Sequence, residues 1–99
     1  MNKCFFLGTM LRSSWFSEIN KTYRIEFSLE VKEKRKTRNG KTKTITHALS
    51  FEAWDSAAVA INDNAIECDQ ILVEACARRE DSIDKTFFRV TNFKIFPSE

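Results

Sequence analysis

The stretch YRIEFSLEVKEKRKTRNGKTKTITHALSFEAW, residues 23 to 54, carries two strand patterns on either side of a turn. In its first arm Tyr23, Ile25, Phe27, Leu29 and Val31 alternate with Arg24, Glu26, Ser28, Glu30 and Lys32. Apolar residues sustained at period two describe a strand with one buried face. Asn39-Gly40 then favours the positive φ angles of a tight hairpin turn. The second arm, Thr42 to Trp54, puts Leu49, Phe51 and Ala53 on one face and Ala48, Ser50, Glu52 and Trp54 on the other. Together the arms predict a long β-ribbon with basic residues at its tip.

Upstream, Lys3 to Met10 is a β-rich run ending near Gly8, and Trp15 to Ile19 is a short strand or the bend after one. Downstream, Asp55 or Ser56 reads as an N-cap. One short helix follows inside Ser56 to Ile66, with Ala57, Val59 or Ala60, and Ile61 available for its inward face. Gln70 to Arg78 is the next strand, Ile71, Val73 and Ala75 alternating with Leu72, Glu74 and Cys76. Arg79 to Lys85 is a charged turn, and Thr86 to Phe96 the last strand. Its apolar phase shifts between Val90 and Phe93, which predicts a bulge near Asn92. The chain is thus all-β with one short helix, in the order strand, strand, strand, helix, strand, strand. A helix between the third and fourth strands of a five-stranded Greek-key barrel is OB-fold topology. An SH3-like barrel has no helix of this length at that place.

At 99 residues the chain is one domain, 1–99. Net charge is only +2, but Lys32 to Lys43 holds seven basic residues and one acid, +6, which leaves −4 for the remainder. The informative feature is therefore a concentrated basic segment on an acidic body. The three Cys, Cys4, Cys68 and Cys76, are odd in number and widely spaced. That spacing argues against a disulfide framework and a zinc site, and Cys4 and Cys68 are expected as small buried hydrophobes in a reducing compartment. The opening apolar run is short, is broken by Gly8 and Thr9, and leads to Ser13, Ser14 and Trp15 without a small-residue cleavage site. It does not read as a secretory leader, and no run is long enough for a membrane helix. A cytoplasmic, nucleoid-associated protein is expected, without a cofactor.

A regular line of phosphates is tracked by a groove of Lys and Arg that releases counterions. Lys32, Lys34, Arg35, Lys36, Arg38, Lys41 and Lys43 offer that chemistry, against the alternative of a solvated loop tip. Arg78 and Arg79, entering the charged turn, join them. Trp54 lies opposite Leu49, Phe51 and Ala53 in strand phase and is the candidate base-stacking ring. Glu26, Glu30 and Glu52 count against a DNA-binding face there, because carboxylates repel phosphate. Trp15, Phe16 and Tyr23 are expected in core or interface packing. Phe87 and Phe88 point to opposite faces of the last strand, one to the core and one outward. An enzyme is not expected. His47 is the only His, the cluster Glu80, Asp81 and Asp84 lacks the spacing of a calcium loop, and two Gly cannot build a phosphate loop.

In order and spacing the segments MNKCFFLGTMLR (1–12), IEFSLEVKE (25–33), FEAWDSAAVAI (51–61), QILVEACARRE (70–80) and FRVTNFKIF (88–96) resemble the strands and helix of bacterial single-stranded DNA-binding proteins. The resemblance implies an OB-fold homodimer or homotetramer acting in DNA replication, recombination or repair. It matches Trp54 to one of that family's stacking positions. The family's other stacking positions fall at about Arg35, Ala48 and Ser82, none of them aromatic. Cys68-Asp69 stands where the family has a Gly, and the sequence stops at Pro97-Ser98-Glu99 without the family's acidic-tipped tail. These departures bring it closer to tail-less relatives, the primosomal replication N proteins. Two functions are therefore expected: a sequence-independent single-stranded DNA binder, or an OB-fold module that docks replication proteins of the restart machinery.

Overall fold

A computed structural model describes residues 2–11 and 15–98. Met1, Arg12, Ser13, Ser14 and Glu99, which belong to the readings of the opening run and of the chain's end, lie outside the described residues. The elements are β1 (Cys4–Met10), β2 (Trp15–Ile19), β3 (Thr22–Lys36), β4 (Thr42–Trp54), α1 (Asp55–Asn64), β5 (Gln70–Glu80) and β6 (Lys85–Phe96). The sheet runs β1-β5-β6-β4-β3-β2, and β1 also pairs with β3 at Thr9↔Glu30 and Met10↔Leu29. That extra pairing closes a five-stranded ring, β1-β3-β4-β6-β5, the connectivity of an OB barrel. β2 stands outside the ring as a flap on the edge of β3, joined to it by Asn20-Lys21 at φ 51 and 64. Two successive positive φ angles are the signature of the two-residue hairpin whose twist suits the strands.

The apolar faces read from the alternation are the core. Ile25, Phe27 and Leu29 of β3 and Phe51 and Ala53 of β4 are buried, against Ile71 and Val73 of β5 and Ile61 of the helix. Phe27 and Phe51 stack in register, with ring centroids 5.5 Å apart. β1 closes the ring over this core at Gly8. A Cβ there would lie 2.9 Å from Leu29 Cβ and 3.0 Å from the Glu30 carbonyl oxygen, so the two strands approach this closely only because the position has no side chain. The expected bulge is present: Glu74 faces Asn92 but Ala75 faces Val90, leaving Thr91 as the extra residue. Its hydroxyl donates to the Glu74 carbonyl oxygen at 3.1 Å. The bulge lets Val90 and Phe93, three positions apart, both turn inward.

Four local expectations are corrected. The helix starts at Asp55, one residue before the expected span, and its N-cap is Trp54, which supplies no capping hydrogen bond. Asp55 itself takes φ 55, so the strand breaks directly into the helix rather than through a polar cap. Of the expected inward residues Ile61 is buried, but Ala58 rather than Ala57 is its buried companion. The helix stops at Asn64 because the Ile66 amide is taken by the Asp69 carboxylate at 3.0 Å. Cys68 is exposed, with φ 78, and Cys4 is only half-buried. A left-handed backbone explains why a Gly suits the Cys68 position, since any Cβ there costs about 1–2 kcal/mol. At the ribbon tip only Gly40, not Asn39, takes a positive φ. The turn is a three-residue loop, with Gly40 N–H donating to the Thr37 carbonyl and Thr37 N–H to the Lys41 carbonyl.

Candidate nucleic-acid interface

Strand pairing assigns every outward side chain, because directly opposed residues share a face. Arg24 faces Trp54, Glu26 faces Glu52, Ser28 faces Ser50, and Glu30 faces Ala48. Beyond the barrel the same face continues through Lys32↔Thr46, Lys34↔Thr44 and Lys36↔Thr42. Lys32, Lys34 and Lys36 therefore form a row on one face of the ribbon, in line with Trp54. Arg35 and Lys43 face each other on the opposite side, and Arg38 and Lys41 belong to the tip. All seven are exposed, and the ribbon stretches the molecule to 55 Å in its longest dimension. Among the described residues only Arg35 of the seven holds an ion pair, to Glu33 at 3.3 Å. Glu33 also meets His47 Nε2 at 3.0 Å, and these two partners, His47 first, hold its carboxyl below the usual range.

Trp54 is 38% exposed on this outer face. Around it the structure gathers residues that the sequence does not connect. β6 runs parallel to β4 with Glu52 opposite Arg89, and Arg78 of β5 faces Phe87 of β6. Glu52 lies at the centre and is fully buried, which corrects its expected place among the carboxylates that repel phosphate. Its Oε1 accepts from Arg78 Nε at 2.5 Å, and its Oε2 accepts from Arg78 Nη2 at 2.8 Å and Arg24 Nη2 at 3.0 Å. Arg89 Nε approaches Oε1 at 3.5 Å. Burial pushes the Glu52 carboxyl up, but the hydrogen bonds and charges of Arg78 and Arg24 outweigh it and leave it below the usual range. The Arg78 guanidinium is raised in turn, chiefly by Glu52.

Phe87 is the outward ring of the Phe87–Phe88 pair and is nonetheless buried, roofed by cations rather than by the core. Arg24, Arg78 and Lys85 stand 5.7, 5.4 and 4.7 Å from its centroid. Arg24 also lies 5.5 Å from the Trp54 ring. Phe88 packs inward on Phe6 and Phe51. Arg89 is half exposed and, with Trp54 and Asp55, lines a surface hollow. Arg79 is engaged within its own turn by Asp81 and Asp84. Ser82 bonds Glu80, and Ala48 is exposed on the outer face.

Sequence reasoning missed Arg24, Lys85 and Arg89, and it placed Trp15 differently. Trp15 faces Glu26 across β2–β3, so it shares the outer face with Trp54, and it is 70% exposed. Phe16 and Tyr23 stack on each other at 5.9 Å on the opposite face and pack against the core, as expected. The Arg24–Trp54 alignment was recoverable from the hairpin register. The β4–β6 neighbourhood was not, because its residues lie 37 positions apart in the chain.

The geometry defines a class: an OB barrel whose outer sheet face and longest hairpin carry aromatic rings among cations. No protein-family model matches the chain, and no curated protein matches it by sequence. Solved structures do match. A deletion mutant of the single-stranded DNA-binding protein from Thermus aquaticus aligns at TM-score 0.86 and 14% identity, covering all of this chain and 52% of that one. This chain thus spans about half the length of that protein. The SSB domain of a Synechococcus protein aligns at TM-score 0.73 and 19% identity, over 94% of this chain and 93% of that one. The PriB protein of Ralstonia solanacearum aligns at TM-score 0.73 and 6% identity, over 95% and 96%. At such identities the likeness establishes the fold: this chain has the OB fold of the bacterial SSB type.

Proposed function

We propose that this chain binds single-stranded DNA without sequence preference, as a member of the SSB-like group whose fold it has. The observation that carries the reading is that Trp54 and the row Lys32, Lys34 and Lys36 share one outward face. A strand crossing β3 and β4 stacks a base on Trp54 and lays its phosphates along the ribbon. The outer face of the second and third barrel strands is also where OB folds bind oligonucleotides. Such a coat serves replication, recombination and repair in the cytoplasm. Titration with oligo-dT tests it: tryptophan fluorescence is quenched at low salt and recovers as salt rises. Trp15→Phe isolates the Trp54 signal. Trp54→Ala is expected to cost about 1–3 kcal/mol of binding while leaving the salt dependence nearly unchanged, because stacking releases few counterions. Absence of quenching at low salt favours the docking module instead.

We further propose that copies of the chain associate. Phe5, Leu7, Leu72 and Phe96 are 64, 53, 41 and 41% exposed and share the outer face of β1, β5 and β6. Exposed apolar side chains clustered on one face of a small domain mark an interaction surface, which supports a subunit contact there. Sedimentation at micromolar concentration is expected to show a dimer or larger, and a stable 11.5 kDa monomer would overturn this.

A further inference from the structure

We propose that Glu52 is the positioning residue of the contact face: its buried carboxylate sets the guanidinium groups of Arg24, Arg78 and Arg89 around Trp54 and Phe87 before DNA arrives. The proposal rests on the single-strand reading above. Three long side chains free in solvent would each lose rotamer freedom on binding. Here one carboxylate, fully buried, takes hydrogen bonds from Arg78 and Arg24 on both oxygens and draws Arg89 to 3.5 Å. Phe87 lies beneath both, its ring centroid 5.7 Å from Arg24 and 5.4 Å from Arg78. Arg89 brings its Nε to 3.5 Å from Glu52 and is half exposed in the hollow that it lines with Trp54. That leaves a planar fork suited to a phosphate next to the stacking ring.

The arrangement makes the sign of one substitution decisive. By charge alone, Glu52→Gln removes a negative group from a DNA-binding face and should tighten binding. If Glu52 positions the arginines, the same substitution weakens it, because an amide offers one acceptor and sets N–H donors against guanidinium donors. The experiment measures the affinity of wild type and Glu52→Gln for a fluorescein-labelled oligo-dT by anisotropy, with thermal melting as the folding control. The expected result is a loss of about tenfold or more at constant salt. Arg89→Ala is then expected to matter in wild type and to add little in Glu52→Gln. Equal or tighter binding by folded Glu52→Gln overturns the proposal. Should that variant not fold, Arg89→Lys decides, since it keeps the charge but loses the Nε contact and the fork. Binding as weak as Arg89→Ala supports positioning, and wild-type binding overturns it. If wild type itself does not bind, the single-strand reading fails instead, a distinguishable outcome.

Discussion

Replacing Lys32, Lys34 and Lys36, the row on the Trp54 face, together with Ala is expected to weaken oligo-dT binding about a hundredfold at 0.1 M salt. The ribbon offers seven cations on two faces and a tip, and six of them have no ion pair among the described residues. If four neutralise phosphates, affinity falls with salt at a log–log slope of roughly −3, and removing three contacts leaves a slope near −1. The two lines converge near 1 M salt, so tenfold dilution separates them by about two decades. The loss should be the same on every base sequence, since phosphates carry no sequence information. Anisotropy titrations across salt check it. A variant that binds like wild type at all salt concentrations makes the ribbon a solvated arm.

Arg78→Ala is expected to destabilise the fold by about 3 kcal/mol, the scale seen when one partner of a buried ion pair is removed. In a domain of this size that lowers the melting temperature by roughly 15 °C. Arg78 supplies two of the three close hydrogen bonds to Glu52, and Arg24 alone leaves Oε1 without a close donor. The pH dependence follows from the sign of the shift. Glu52 ionises below its ordinary value of 4.5 in the folded chain, so its ion pairs stabilise fully above that value and are lost as pH falls through the depressed one. Without Arg78 the carboxyl loses the largest contribution opposing burial and shifts upward from its place in the wild-type chain. The deficit should therefore be largest at neutral pH and shrink in acid. Urea denaturation at both pH values measures it, and a deficit under about 1 kcal/mol would place the pair in the weak, solvent-screened class.

The barrel was legible because its strands obey period two over long runs. The alternation of 23–31 and 70–76 puts Ile25, Phe27, Leu29, Ile71 and Val73 inside, where the structure has them. Even the bulge showed, as a break in phase between Val90 and Phe93. Local endings were less legible. Trp54 caps the helix without a capping side chain, and Asp55 and Cys68 take left-handed angles that propensity assigns to Gly. In those places tertiary closure overrides local preference. The site divides the same way. Trp54 and the basic ribbon follow from residues near one another in sequence. The Glu52 cluster does not, because alternation marks Glu52 as outward and cannot say that Arg24, Arg78 and Arg89 cover it. A residue on the polar face of a strand is exposed only if no neighbouring strand brings its own long side chains across.

The seam between β1 and β5 also sets the order in which the chain can acquire structure. β1 is zipped to β5 from Cys4↔Ala75 to Thr9↔Gln70, and its other partners begin at Leu29. During synthesis the first strand therefore waits for about seventy residues to leave the ribosome before most of its hydrogen bonds can form. The β3–β4 hairpin, closed by a three-residue loop, has no such wait. Topologies dominated by distant pairings fold in milliseconds to seconds, slowly beside helical domains of equal length. Until β5 and β6 arrive, Phe6 of a nascent chain stands only partly covered on an unpaired edge, the situation in which chains aggregate and chaperones engage.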